Sequence, residues 1–241
     1  MDFDGVRPAI PATIQDGGVV AIGRRLDART VTAIAEGLLA GGVGAFELTL
    51  NEPEADVLAS IAELARRFPD TQLLVGAGTV LSIAAAERAI GAGARFMVSP
   101  HVDVELVRWA ATRGVPFFPG ALTPSEVLAA WRAGAAAVKL FPASVGGPAL
   151  VRELRGPLPH IPLVPTGGVT LDSAPGFIMA GAAAVGMGSW LTGDGAPAGI
   201  GQRAANLVQA IAAARAALAA ARAATASDRV DGVATRTESR P

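Results

Sequence analysis

The chain has 241 residues, half of them apolar, with a formal net charge of −1 and no cysteine. Its dispersed basic residues offer nothing for nucleic acid or an anionic membrane to recognise, and the lack of cysteine excludes disulfides and thiolate chemistry. The acidic start, Met1-Asp2-Phe3-Asp4-Gly5, lacks an apolar signal core and no uninterrupted apolar run approaches roughly 18 residues, so a soluble, cytoplasmic protein is expected.

In chain order, residues 1–17 read as a polar segment with a short helix over 10–15. Gly18-Val19-Val20-Ala21-Ile22-Gly23 reads as a first strand ending at Arg24. A helix opens at Asp27 or Ala28 and runs to Leu39, where Gly41-Gly42 stops it. Ala45-Phe46-Glu47-Leu48-Thr49-Leu50 is a second strand running into Asn51-Glu52-Pro53. Val57, Leu58, Ile61, Leu64 and Ala65 recur at helical spacing over 54–68. Strands over 73–76 and 95–99 follow, each with its helix (83–90 and 104–112). The fifth strand is read over 116–119, and its helix over 124–132 opens on Pro124, where a first turn tolerates proline. The sixth strand, 136–141, precedes a helix over 148–154. Strands over 163–165 and 183–186 precede a weaker helix at 171–179 and a long alanine-rich one at 201–224.

Eight strand-then-helix units, with strands apolar along their whole length, indicate a parallel sheet covered by helices. Eight units without a break in order point to an α/β chain folded as a single (β/α)8 TIM barrel over 18–225. Residues 226–241 turn polar and lose periodicity, as a disordered tail does.

Chemistry in such a barrel sits at the C-terminal ends of the strands. There the chain places Lys139, its only lysine, in the apolar run Ala136-Ala137-Val138-Lys139-Leu140-Phe141-Pro142. Every other basic side chain except the two histidines is arginine, and a guanidinium cannot lose its proton in a protein. Glu47 is the one charged residue of an otherwise apolar strand. Burial raises a carboxyl pKa and lowers an amine pKa. At its ordinary pKa a lysine is neutral in roughly one molecule in two thousand at pH 7, whereas a pKa of about 7 leaves half of it nucleophilic. A neutral amine can attack a ketone and form an iminium ion, an electron sink beside the carbon whose bonds change, while a carboxyl moves the protons. A Schiff-base aldolase needs those two side-chain types and no metal or other cofactor. Thr166-Gly167-Gly168 and Gly186-Met187-Gly188-Ser189 close the last two strands, where barrels often present backbone N–H groups to phosphate. Gly76-Ala77-Gly78-Thr79 is a further anion cradle.

Phe46-Glu47-Leu48-Thr49-Leu50, Val75-Gly76-Ala77-Gly78-Thr79-Val80-Leu81, Phe96-Met97-Val98-Ser99-Pro100, Phe118-Pro119-Gly120, Val138-Lys139-Leu140-Phe141-Pro142-Ala143 and Pro165-Thr166-Gly167-Gly168-Val169 stand in the order of a known family. Over residues 18–191 the chain resembles the 2-dehydro-3-deoxy-phosphogluconate / 4-hydroxy-2-oxoglutarate aldolases. The resemblance implies cleavage of 2-dehydro-3-deoxy-6-phosphogluconate to pyruvate and glyceraldehyde 3-phosphate. It implies Lys139 as the Schiff-base lysine and Glu47 as the proton shuttle, with Thr79 on the pyruvyl carboxylate and Gly167, Gly168 and Ser189 on the phosphate. Arg24, Thr49, Asn51, Gly78, Pro100, Phe141, Thr166 and Gly188 complete the expected substrate contacts, and a homotrimer is expected. The signature is mixed. Asn51 and Arg24 are similar to the phosphogalactonate aldolases and Thr166 to the phosphogluconate type, which leaves the C4 configuration open, with 4-hydroxy-2-oxoglutarate a further candidate.

Other residues read blandly. His101 and His160 lie in loops far apart, which with no cysteine makes no metal site. Asp172 and Asp194 suit turns, and Trp131 and Trp190 suit packing. The arginine- and alanine-rich stretch 203–222 has too small an apolar face to enter a membrane and is read as docking on the barrel. From another class, the rival is a barrel that binds a sugar phosphate without aldol chemistry and uses Lys139 only as a charge.

Overall fold

Strand and helix alternate along the chain as the apolar pattern requires. The computed structural model describes residues 3–26, 29–50, 53–193 and 197–237. In order these form α1 (Ala12–Gly17), β1 (Val19–Gly23), α2 (Val31–Ala40), β2 (Ala45–Thr49), α3 (Glu54–Arg67), β3 (Leu74–Gly78), α4 (Ile83–Gly91), β4 (Phe96–Val98) and α5 (Val104–Thr112). Then come β5 (Phe117–Phe118), β6 (Gly120–Ala121), α6 (Pro124–Arg132), β7 (Val138–Leu140), α7 (Gly147–Arg155), β8 (Leu163–Pro165), α8 (Ala174–Met179), β9 (Val185–Met187), α9 (Ser189–Thr192) and α10 (Ile200–Thr237). Asp27, Ala28, Asn51 and Asp194, named above as a helix start, a substrate contact and a turn, lie outside the described residues.

Helix starts are fixed by side chains the sequence supplies. The Asp103 carboxylate accepts from the backbone N–H groups of Glu105 and Leu106 at the head of α5. Thr123 and Glu126 form a capping box around Pro124 at the head of α6, satisfying donors that a helix N-terminus otherwise leaves open.

Every strand pairing is parallel. β5-β4-β3-β2-β1-β9 form a six-stranded sheet that curls into a half-barrel, and β6-β7-β8 form a second, three-stranded sheet. The single strand read over 116–119 is therefore two short strands that extend further, to Ala121, and part at Pro119, which has no N–H to give a ladder. Beyond the named strands a parallel bridge joins Thr166, just past β8, to Gly186 in β9.

Strand side chains alternate between two cores. Val19, Phe46, Val75, Met97, Phe117, Val138, Leu163 and Val185 belong to the large core shared with the helices. Their neighbours Val20, Ala45, Leu74, Phe96, Phe118, Ala137, Val164 and Ala184 form a separate inner core with Ile10 and Ile14 of the N-terminal segment. Full burial of an aliphatic or aromatic side chain stabilises the fold by about 1.5–3 kcal/mol, so this inner layer draws strands of both sheets around one interior.

The last helix packs on α2 and α8. Ile200, Ala204, Leu207, Ile211 and Ala214 are its buried seam, at spacings of three and four. By length and composition Ile200–Ala221, with mean hydropathy 1.4, would suffice to cross a membrane. In this fold the seam is docked, and its arginines tie down carbonyls. Arg203 donates to Leu191 O at 3.0 Å, and Arg215 to Ala183 O at 2.9 Å and to the carbonyls of Gln15 and Asp16. The helix continues past 225, where the tail was expected to begin, to Thr237.

Candidate active site

The inner face of the strands carries the chemistry because side chains repeat every two residues. Two positions beyond inner-core Ala137 stands Lys139, and two beyond inner-core Ala45 stands Glu47. Likewise Val164 leads to Thr166, Ala184 to Gly186, and Leu74 to Gly76 and Gly78. The apolar layer forms the floor, and the polar residues form the next layer toward the C-terminal strand ends.

Glycines make room in that layer. A Cβ on Gly78 would run into the Glu47 carboxyl, one on Gly186 into the Thr166 hydroxyl, and one on Gly76 into the Phe96 ring. In the ladders, Glu47 sits between Ile22 of β1 and Gly76 of β3, and Lys139 between Gly120 of β6 and Val164 of β8.

Lys139 and Glu47 are 7% and 2% exposed. Burial pushes the Glu47 carboxyl above its ordinary 4.5, against the positive charges of Lys139 and Arg24, which pull it down. Burial holds the Lys139 amine below its ordinary 10.5; Glu47 opposes that shift and Arg24 adds to it. Among the described residues neither group forms a salt bridge, so Glu47 is not a structural partner clamped to Arg24 and acts on Lys139 through space. The Lys139 ammonium nitrogen lies 4.8 Å from the centroid of the Phe141 ring. An amine and a carboxyl whose environments move their pKa values toward each other can exchange protons near neutrality.

A cavity of about 430 Å³ opens at this end, lined by Arg24, Arg25, Phe141, Thr166, Gly167, Gly168, Gly188, Ser189 and neighbours that include Trp190. Seven residues singled out from the sequence thus share one wall: Arg24, Phe141, Thr166, Gly167, Gly168, Gly188 and Ser189. Lys139, Glu47, Gly78, Thr79, Thr49 and Pro100 are not part of that wall. Arg24, whose charge reaches both Glu47 and Lys139, and Phe141, against Lys139, connect the cavity to the buried pair.

The chain matches the KDPG and KHG aldolase family over residues 10–198. The chain belongs to that family. Against a probable 2-dehydro-3-deoxy-6-phosphogalactonate aldolase of Rhizobium meliloti (strain 1021), this aldolase is 39% identical over 197 residues, 81% of this chain and 92% of the other. Against the 2-dehydro-3-deoxy-phosphogluconate aldolase of Pseudomonas aeruginosa it is 42% identical over 164 residues, 66% of this chain and 70% of the other. The solved structure of a KDPG aldolase from Legionella pneumophila, with pyruvate captured as a covalent carbinolamine, superposes with a TM-score of 0.72. That pair is 28% identical, over 84% of this chain and 96% of the other. The protein is accordingly a carbon–carbon lyase of the aldolase type.

Within this aldolase the remaining predicted residues hold their places by structural bonds. The buried Thr49 hydroxyl donates to Gly23 O at 3.2 Å and ties β2 to β1. The Thr166 hydroxyl donates to Val164 O at 3.2 Å. The Pro100 backbone lies where a Cβ on Gly120 would fall, and Ser99 Oγ donates to His101 O at 2.6 Å, closing that turn. Thr79 carries a left-handed backbone, φ 57°. His160 sits edge-on to Trp131, centroids 5.8 Å apart, and Arg7 stacks 3.6 Å above the same indole. Trp190 packs against the core, as expected, and also borders the cavity, whereas Arg25 was not anticipated. An arginine pair after β1 does not reveal which member reaches the cavity.

Proposed function

We propose that this aldolase cleaves 2-dehydro-3-deoxy-6-phosphogluconate to pyruvate and glyceraldehyde 3-phosphate through a Schiff base on Lys139, with Glu47 as proton shuttle. The observation that carries the reading is the burial of the only lysine and of Glu47 on one inner face, next to a cavity walled by arginine and glycine. The neutral Lys139 amine attacks the C2 ketone. The carbinolamine loses water to give an iminium ion, and the Glu47 carboxylate takes the proton of the C4 hydroxyl as the C3–C4 bond breaks. The electron pair passes into the iminium, leaving an enamine and the aldehyde. The protonated Glu47 returns a proton to C3, and hydrolysis frees pyruvate and Lys139. Thr79 receives the pyruvyl carboxylate, and the cavity wall of Gly167, Gly168, Gly188 and Ser189 receives the phosphate. Thr49, Gly78, Pro100 and Phe141 shape the reacting end.

The galactonate epimer is a second reading, favoured by the near-full-length likeness to the Rhizobium meliloti protein and by Arg24 at the end of β1. Cleavage of 4-hydroxy-2-oxoglutarate, named in the matching family, is tested alongside. The architecture that serves this chemistry is a closed (β/α)8 barrel. The Thr166–Gly186 bridge, the one-residue gap at Pro119 and the shared inner core support closure. A cytoplasmic homotrimer without a metal or other cofactor completes the proposal.

Borohydride reduction in the presence of pyruvate, followed by peptide mass analysis, tests the chemistry. An adduct confined to the Lys139 peptide is the expected result, and a turning-over enzyme that forms none would overturn it. Initial rates on the two phosphorylated epimers and on 4-hydroxy-2-oxoglutarate then rank the substrates.

A further inference from the structure

Two non-glycine residues among those described have positive φ, Thr79 at 57° and Arg25 at 53°. Both lie just past a strand at the same end of the sheet, Thr79 directly after β3 and Arg25 two residues after β1. A left-handed backbone is costly for a residue with a Cβ and persists where the surroundings or the function require it. Glycine adopts it freely. Thr79 has a part in the reaction proposed above, and Arg25 has none.

Among the described residues no structural partner explains Arg25. Its side chain is exposed and forms no hydrogen bond or salt bridge among the described residues, although it stands on the wall of the 430 Å³ cavity. On that same wall Gly167 and Gly168 take φ 90° and 76°, and Gly188 and Ser189 end the β9 side. No carboxylate lines the cavity among the described residues, so the ligand that suits it there is an anion. The Arg24 charge lowers the pKa of both Glu47 and Lys139. Both guanidinium groups border one cavity, and Arg24 is the one tied electrostatically to the buried pair.

We propose that Arg25 is a specificity-determining residue that grips the terminal phosphate of the substrate from the wall shared with Gly167 and Gly168. This rests on the Schiff-base reading above. A guanidinium offers a planar fork of donors that matches phosphate oxygens, and the strained turn after β1 is what brings that fork to the cavity.

The test compares wild type, Arg25→Gly and Arg25→Lys in cleavage of the phosphorylated aldol, with pyruvate as a competitive inhibitor that occupies only the reacting end. Arg25→Gly relaxes the backbone, so its melting temperature should not fall. Its KM for the phosphorylated substrate should rise about tenfold to a hundredfold, the loss typical of a charge-assisted hydrogen bond, while the KI of pyruvate stays in place. Arg25→Lys should fall between the two. An unchanged KM, a KI that rises in parallel with KM, or a lysine variant no better than the glycine variant would each overturn the assignment. A wild-type enzyme that yields no pyruvate adduct on Lys139 would instead overturn the parent reading, whatever Arg25 does.

Discussion

The Glu47 carboxyl occupies the space that a side chain on Gly78 would need. The glycine is thus part of the acid–base apparatus, although it has no functional group. Gly78→Ala should displace the carboxyl and lower kcat by about a hundredfold to ten-thousandfold, the usual worth of a positioned acid–base group. It should cost roughly 1–3 kcal/mol of stability by overpacking. Steady-state rates and a thermal melt check both, and a wild-type kcat in the alanine variant would refute the relationship.

Attack by Lys139 needs the neutral amine, so adduct formation with pyruvate should show an acid limb below 10.5. Glu47 raises the Lys139 pKa and Arg24 lowers it. Glu47→Gln should therefore move the limb to lower pH, and Arg24→Met should move it to higher pH. Borohydride trapping rates across a pH series measure the limb independently of its height. Limbs moving in the same direction would contradict the field described here.

Stability should respond to the same groups. Lys139 is depressed in the fold, so as pH falls below 10.5 the unfolded chain binds its proton first and stability is lost until the folded pKa is passed. Lys139→Met should then be more stable than wild type near neutrality, with the gap closing as pH approaches 10.5. Glu47 is raised, so its contribution is whole below 4.5 and is lost as pH rises through the folded pKa. Glu47→Gln should gain on wild type above 4.5. Urea unfolding at several pH values gives both slopes.

Much of this was legible in the sequence. A lone lysine inside an apolar strand and a single carboxylate inside another are plain in the sequence, but strands apolar on both sides leave their face open, and the inner core places both on one face. What could not be read depends on backbone geometry or pairing. The φ of Arg25 is set by a turn that no residue type announces. The parting of β5 from β6 at Pro119 depends on which neighbour each half pairs with. The run of α10 to Thr237 goes against the local composition, since residues 227–237 are polar and include Gly232.

Thr166 carries the epimer question. Its hydroxyl is held by Val164 O and its body fills the place of a side chain on Gly186. Removing the hydroxyl costs about 0.5–1.5 kcal/mol of hydrogen bonding. Thr166→Val should shift the ratio of kcat/KM values toward the galactonate epimer by up to about tenfold, since roughly 1.4 kcal/mol is a factor of ten. Parallel assays of the two epimers decide it, and a ratio that does not move would remove Thr166 from the selectivity.

Gly41 carries the docking of the last helix. A Cβ there would overlap Ala204 and the Gly201 carbonyl of α10. Gly41→Ala should lower stability by about 1–3 kcal/mol and leave turnover per folded molecule intact. Chemical denaturation and active-site titration separate the two effects. A variant with an unaltered midpoint would show that the contact relaxes without cost.

Arg215 reaches back to the carbonyls of Gln15 and Asp16, across almost the whole chain. During synthesis, residues 12–17 can form their turn of helix early, but the clamp that fixes them arrives only when the ribosome has delivered the final helix. Contacts that far apart in sequence form slowly, so this clamp closes later than the local contacts that set up residues 12–17. Truncation before Arg215 would leave a chain whose strands are all present and whose first helix keeps its Ile14 anchor in the inner core but loses the guanidinium bound to its carbonyls.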